Sequence, residues 1–332
     1  MTNTKIAVLG ASGAVGREMI KVLIERGHDA ESITALGGKS AGTTVDIDGM
    51  AFEIKSADGY DFSRAKFVLG AVSAELSRRF APEITAAGAV YIDNSSAFRM
   101  ESDVPLVVPE INGEDAFAHN GIVANPNCST IIAAIAIAGI NRISQIKEIT
   151  AATYQAVSGA GIGGMRELKL QNEAILRGEE ISCAVFPYRI VENLIPLIGS
   201  AAENGYTDEE MKMQNEGRRI FHLPLLSVNC TCVRVPVMRS HSIAMTVYAE
   251  KPLDVEEVRN AIKNSEGCIL YDDVKSGIYP MPTVSGGRDE VFVGRIRSTL
   301  DGRGGVSLFC CGDQLRRGAA TNAVKIYELL DR

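Results

Sequence analysis

Long apolar runs are missing from this sequence: the longest, Ile131–Ile140, covers ten residues, about half of the ~20 that a membrane-crossing helix requires. No membrane segment is expected. A leader is missing too. Met1-Thr2-Asn3-Thr4-Lys5 passes directly into the strand-like Ile6-Ala7-Val8-Leu9, without the basic stretch, longer apolar core and small-residue cleavage site of a secretory signal, so a cytoplasmic protein is expected. Positive charge is not in excess. With 34 Lys and Arg against 41 Asp and Glu the formal net charge is −7, and nucleic acid, whose phosphate backbone demands a basic face, is excluded as the expected partner. Anionic small molecules remain open through local arginines. No pair of CxxC elements with histidine partners suggests a zinc site, and the seven cysteines are an odd, scattered set that reads as reduced thiols. Internal repeats and low-complexity tracts are absent as well.

What is present fits a soluble α/β protein of two domains. A chain of 332 residues exceeds one ordinary hydrophobic core, and units of roughly 100–200 residues are the prior. An apolar fraction of 46% with 23% charged residues argues against long disordered regions. Short apolar runs alternate with helical patterns at Ile6–Leu9, Arg17–Arg26, Ile33–Leu36, Phe67–Ala71, Glu75–Ala87 and Val90–Asp93, the rhythm of βαβ units around a parallel sheet. Leu106–Val108 and Ile122–Ala124 would continue that sheet, and Val45–Ile54 reads as a hairpin around Asp48-Gly49. After Asn125-Pro126-Asn127 the texture changes. An apolar helix at Thr130–Gly139, a strand at Ile146–Ala152 and a long amphipathic helix at Met165–Arg177 are followed by alternating stretches at Ser227–Val235, Ile243–Ala249, Glu290–Arg297 and Val306–Cys310. These predict a mixed sheet, with a helix at Val255–Lys263. Asp313–Leu330 reads as a final helix, N-capped by Asp313, that returns to the first domain. The expected division is therefore 1–127, a Rossmann-like dinucleotide-binding domain completed by 313–332, and 128–312, an α+β domain.

Gly10-Ala11-Ser12-Gly13-Ala14-Val15-Gly16 follows a strand and opens a helix, the context in which a glycine-rich loop receives a pyrophosphate at a helix N-terminus. Gly10, Ser12, Gly13, Ala14, Val15 and Gly16 are the expected contacts; an ordinary strand–helix turn would not need three glycines, each with its entropic cost. The second strand ends Gly37-Gly38-Lys39-Ser40. No acidic residue is there to grip a free ribose 2′-hydroxyl, whereas Lys39 and Ser40 suit a 2′-phosphate, which favours NADP.

Cys128 stands at the start of an apolar helix, where the partial positive charge of the helix terminus favours a thiolate. The other six cysteines lie in strand-like or featureless settings and read as structural. A thiolate needs an acid/base partner, and only four histidines are available: His28 at a helix end, His119 in a loop, His222 before Leu223-Pro224, and His241, seven residues after Arg234 across a strand–turn–strand segment. His241 is the best placed. Arg234 has the planar fork suited to a carboxylate. Glu216 and Arg219, three apart in a helical stretch, share a face and by themselves suggest only an ion pair.

Asn125–Thr130, together with Ile92-Asp93-Asn94-Ser95-Ser96-Ala97-Phe98-Arg99-Met100 and Thr153-Tyr154-Gln155-Ala156-Val157-Ser158-Gly159-Ala160-Gly161, resembles aspartate-semialdehyde dehydrogenase. Arg234-Val235-Pro236-Val237 with His241-Ser242, Val293–Arg297 and Arg316–Ala320 extend the resemblance over nearly the whole chain. It implies reversible interconversion of 4-phospho-L-aspartate and L-aspartate 4-semialdehyde with NADP(H) and inorganic phosphate, on the route to lysine, methionine and threonine, by a homodimer joined through the second domain. It also implies roles. Cys128 is the nucleophile that forms a thioester, and His241 is the acid/base. Gln155 orients the acyl intermediate, and Asn127 or nearby N–H groups hold the oxyanion. Arg234 takes the α-carboxylate and Glu216 the ammonium, while Arg99 and Arg219 hold the phosphate. Ser158, Gly159 and Gln314 contact the cofactor.

Several positions depart from the family pattern: Gly37 and Lys39 replace the frequent Ser and Arg, Gly217 replaces Thr, Arg219 and Arg317 replace Lys, and Gln314 replaces Asn. Two alternatives stay open. One is an N-acetyl-glutamyl-phosphate type reductase, which Glu216 argues against, since an acylated nitrogen offers no cation to a buried carboxylate. The other is a catalytically silent dinucleotide-binding paralogue, opposed by the intact set of Cys128, Gln155, Arg234 and His241.

Overall fold

The computed structural model describes residues 5–332; Met1–Thr4, on which the expectation of a cytoplasmic protein draws, lie outside the described residues. The chain forms two compact units. One comprises the described residues through Asn127 together with Ala319–Arg332, and the other Cys128–Gly318.

In the first unit β1 (Ile6–Leu9) is flanked by β2 (Ile33–Gly37) and β6 (Phe67–Gly70), all parallel. The hairpin β3 (Thr44–Ile47) and β4 (Met50–Glu53) turns at Asp48-Gly49, and the short β5 (Lys55–Ser56) pairs with β2. With β7 (Val90–Asp93) and β8 (Ile122–Ala124) the sheet order is β5-β2-β1-β6-β7-β8. Strand order reverses beside β1, the place where open parallel sheets bind ligands at their carboxyl ends. All four residues of β1 are buried, as a strand covered on both faces must be. Helix α1 (Ala14–Glu25) buries Met19, Ile20, Val22 and Leu23. Helix α2 (Ala74–Ala86) is capped by Ser73, whose hydroxyl accepts the Leu76 N–H. The stretch at Leu106 makes an isolated bridge to Ala124 and no strand, because Pro109 at the start of the short helix α3 (Pro109–Asn112) pulls the chain out of the ladder.

The second unit opens with α4 (Cys128–Ile143), apolar on nearly every side and buried from Ser129 to Ile140. Its sheet runs β10-β9-β11-β14-β13-β12: β9 (Ile146–Gln155), β10 (Ser227–Arg234), β11 (His241–Ala249), β12 (Cys268–Leu270), β13 (Val291–Ser298) and β14 (Val306–Gly312). The β9–β10 and β12–β13 pairs are parallel and the rest antiparallel, a mixed sheet. Helices α4 and α7 (Val255–Lys263) lie on the sheet and α6 (Asp208–Ile220) packs on β10. The long α5 (Gly161–Arg177) ends at Gly178.

The final segment differs from the single helix expected over Asp313–Leu330. Asp313 does cap, accepting the N–H groups of Leu315 and Arg316. A wider π turn then covers Arg316–Ala320, and α9 begins only at Thr321, running to Leu330. At Gly318, inside this turn, an added β-carbon would stand 2.8 Å from the Cys128 Cβ, so the chain passes the start of α4 at a position that only glycine fits. In the first unit α9 packs on α1, and the Tyr327 ring meets Phe67 edge-on at 5.0 Å.

Candidate active site

Three neighbouring strands of the second unit end together. Gln155 closes β9, Arg234 closes β10 in register beside it, and His241 opens the antiparallel β11. Side chains alternate along a strand, so Thr153 and Gln155, Cys232 and Arg234, and His241 and Ile243 are all buried, on the side of the sheet against which α4 and α6 pack. The first residue of α4 is Cys128. Its Sγ lies 3.5 Å from Nε2 of His241, within reach for a sulfur hydrogen bond, and the thiol is one of seven free cysteines.

The surroundings of His241 decide where its proton sits. Nδ1 accepts the backbone N–H of Ala156 at 3.0 Å, so the neutral ring carries its proton on Nε2, facing the sulfur. Burial, reinforced by the positive charge of Arg234, holds the ring well below the ordinary histidine value of 6.5. The carbonyl of the same Ala156 accepts Nη1 of Arg234 at 2.6 Å. Burial lowers Arg234 from its ordinary value, opposed by the charges of Cys128 and Glu209. The Phe186 ring lies 5.9 Å from its guanidinium carbon, a cation–π distance.

Glu216 is buried and Arg219 half-buried on α6. Gln314 is buried, donating to the Ser158 hydroxyl and accepting the Ser240 N–H at 2.9 Å; a cofactor contact from its amide would use the remaining N–H. Ser240 itself holds φ +77, a conformation unusual for a residue with a side chain, and precedes His241 directly.

In the first unit Gly10 has φ +89, and a β-carbon there would lie 2.4 Å from the Ala71 carbonyl oxygen. Its N–H and that of Ala11 both donate to Leu36 O. The N-cap of α1 is Gly13, which has no side chain to cap the open N–H groups of the first turn, the kind of helix terminus that receives an anion. Ser40 Oγ donates to Ser12 Oγ at 2.9 Å, bringing two expected contacts together, while Lys39 is exposed. Arg99 is buried, its guanidinium donating to the carbonyls of Asn125 at 3.0 Å and Asn94 at 2.6 Å. Asn127, the last residue of this unit before the second begins, is buried.

Within the second unit, two carboxylates that sequence reasoning passed over stand close to Gln155 and to the Phe186 loop. Glu209 accepts from Gln155. Glu167, buried on α5, accepts the N–H groups of Ala184, Val185 and Phe186 and the amide of Gln171. Gln171 in turn accepts from Ile190 and Val191. A loop is thereby fastened to α5, and Phe186 is on it. A buried acid on an amphipathic helix was the available signal.

Residues 5–119 match the model of the semialdehyde dehydrogenase NAD binding domain and residues 137–317 that of the semialdehyde dehydrogenase dimerisation domain. The aspartate-semialdehyde dehydrogenase of Synechocystis is 44% identical over 98% of this chain and 97% of its own length, and that of Bacillus subtilis 43% identical over the same shares. This chain belongs to the aspartate-semialdehyde dehydrogenase family. The crystal structure of aspartate semialdehyde dehydrogenase II from Vibrio cholerae complexed with ASA superposes with a TM-score of 0.96 at 39% identity, covering 100% of this chain and 99% of that one. The α/β fold, with a Rossmann-like parallel sheet and a mixed-sheet dimerisation domain, is that of the family, as the sequence led us to expect. The glycine-rich turn after β1 accordingly belongs to a nicotinamide-dinucleotide-binding domain. These relatives carry the aspartate-semialdehyde name, which favours that reading over the N-acetyl-glutamyl-phosphate alternative.

Proposed function

We propose that this protein interconverts 4-phospho-L-aspartate and L-aspartate 4-semialdehyde with NADP(H) and inorganic phosphate through a thioester on Cys128. The observation that carries this reading is the 3.5 Å approach of the Cys128 sulfur to a buried His241 whose Nε2 proton faces it. In the oxidative direction the thiolate adds to the aldehyde carbon. His241 shares its Nε2 proton first with the sulfur and then with the oxygen of the adduct, the acid/base role. When bound, the nicotinamide supplies the hydride acceptor, or the donor in the biosynthetic direction. Phosphate attacks the thioester carbonyl carbon, the C–S bond breaks, and the acyl phosphate leaves as the thiolate is restored.

Around this centre Arg234, pinned through Ala156, takes the substrate carboxylate, and Glu216 takes the ammonium. Arg219 and Arg99 serve the phosphate. Gln155 orients the acyl group, and Asn127 with the first N–H groups of α4 steadies the developing oxyanion. Ser12, Ser40 and Lys39 favour the 2′-phosphate of NADP, and Ser158, Gly159 and Gln314 serve the cofactor. A second copy of this chain would cover the face of the mixed sheet that exposes Tyr154, Tyr279 and Met281, giving a homodimer. Seven free thiols suit the reducing cytoplasm.

NADPH formation from L-aspartate 4-semialdehyde tests the reading. It should require phosphate and vanish in Cys128→Ala. Turnover without phosphate or without the cysteine overturns the mechanism, and equal efficiency with NAD overturns the cofactor preference.

A further inference from the structure

The amide of Gln155 is held at both ends. Its oxygen accepts the hydroxyl of Thr153 at 2.9 Å, two residues earlier on the same face of β9, and its Nε2 donates to Glu209 at 3.1 Å. An amide can turn over and exchange its two ends unless its partners forbid it. Glu209 forbids it here, because an ionised carboxylate only accepts. Its second oxygen is taken by the Lys212 ammonium at 3.0 Å, and it faces Gln155 with the first. The side chain of Glu209 is only 10% exposed. On α6 the series Glu209, Lys212, Glu216 and Arg219 repeats every three or four residues, one helical face. The stripe thus begins two turns before the pair that the family motif singles out.

We propose that Glu209, held by Lys212 and aided by Thr153, is a positioning residue that fixes which end of the Gln155 amide faces the site, presenting its second Nε2–H to an oxygen of the acyl group on Cys128. This rests on the role proposed above for Gln155. Glu209→Gln would offer a partner that both donates and accepts, so either orientation of Gln155 would be satisfied and the productive one would be diluted.

The test is steady-state kinetics of the intact enzyme with semialdehyde, NADP and phosphate. Misplacing one orienting hydrogen bond should lower kcat about tenfold in Glu209→Gln while KM for the semialdehyde moves less than about threefold. Thr153→Val should do likewise, and Thr153→Ser, which keeps the hydroxyl, should restore wild-type kcat. In a Gln155→Ala background Glu209→Gln should change kcat by less than about twofold, the non-additivity of groups acting as one. An equal loss in both backgrounds, or a loss confined to KM, overturns the inference and leaves the role of Gln155 standing. A wild-type kcat in Gln155→Ala removes that role and the inference together. If Glu209→Gln fails to fold, the Thr153→Val and Thr153→Ser pair decides on the same criteria.

Discussion

A β-carbon on Gly159 would lie 2.8 Å from Nη1 of Arg234, and 3.2 Å from Cε1 of His241. The guanidinium and the imidazole both occupy space that this position leaves vacant, and neither can retreat easily, since each is buried and bonded to Ala156. Gly159→Ala should therefore lower kcat/KM for the semialdehyde by about 10–100-fold, the scale of a 1 Å displacement of positioned groups. Thermal unfolding should change little. An alanine variant with wild-type kcat/KM would show that Arg234 moves aside at no cost to the reaction.

His241 also shapes stability against pH. Burial holds the native ring neutral well below 6.5, while the unfolded chain takes up a proton near that ordinary value. The unfolded state then binds more protons, so this contribution is fully present above 6.5 and is lost as pH falls toward the depressed native value. Urea unfolding at pH 7.5 and 5.5 should show a smaller loss on acidification for His241→Asn than for wild type. An identical loss in the two proteins would contradict the neutral, buried ring.

Glu167 fastens the loop that carries Phe186 against Arg234. Glu167→Ala leaves three backbone N–H groups without their acceptor, each costing about 1–3 kcal/mol if it stays buried. The expected result is a lower urea midpoint with a raised KM for the semialdehyde, because the guanidinium loses its aromatic neighbour. The rate of Cys128 alkylation by iodoacetamide should hold near wild type. A changed alkylation rate at unchanged KM would place the effect of Glu167 on Cys128 instead.

Much of this architecture can be read from residue order alone, where the signals are local. Val90–Asp93 and Val255–Lys263 keep their expected limits because alternation or a 3.6-residue period begins and ends sharply there. The strand β12, Cys268–Leu270, has only three half-buried residues and no pattern to announce it; it exists because β13 offers an edge. Gly318, in the π turn at Arg316–Ala320, meets a neighbour nearly two hundred positions away. In the site the same divide holds. Cys128 and His241 can be picked out by chemistry, and Arg234 by its planar fork. Glu209 and Glu167 look like ordinary helical acids until the fold supplies Gln155 and the N–H groups of residues 184–186. The hold of Ala156 on two side chains has no signature in its methyl group at all.

That last arrangement bears on how such a site can be altered. Ring and guanidinium are both spaced by the backbone of one residue, so replacing the side chain at 156 by any but proline changes neither attachment as long as the strand end keeps its path. On the roles proposed for Cys128 and Arg234, the distance between sulfur chemistry and carboxylate anchor is in that sense a fixed ruler. Admitting a longer or shorter acyl chain would require re-routing the turn that follows β9, and point changes in the pocket wall would adjust only how tightly the present length is gripped.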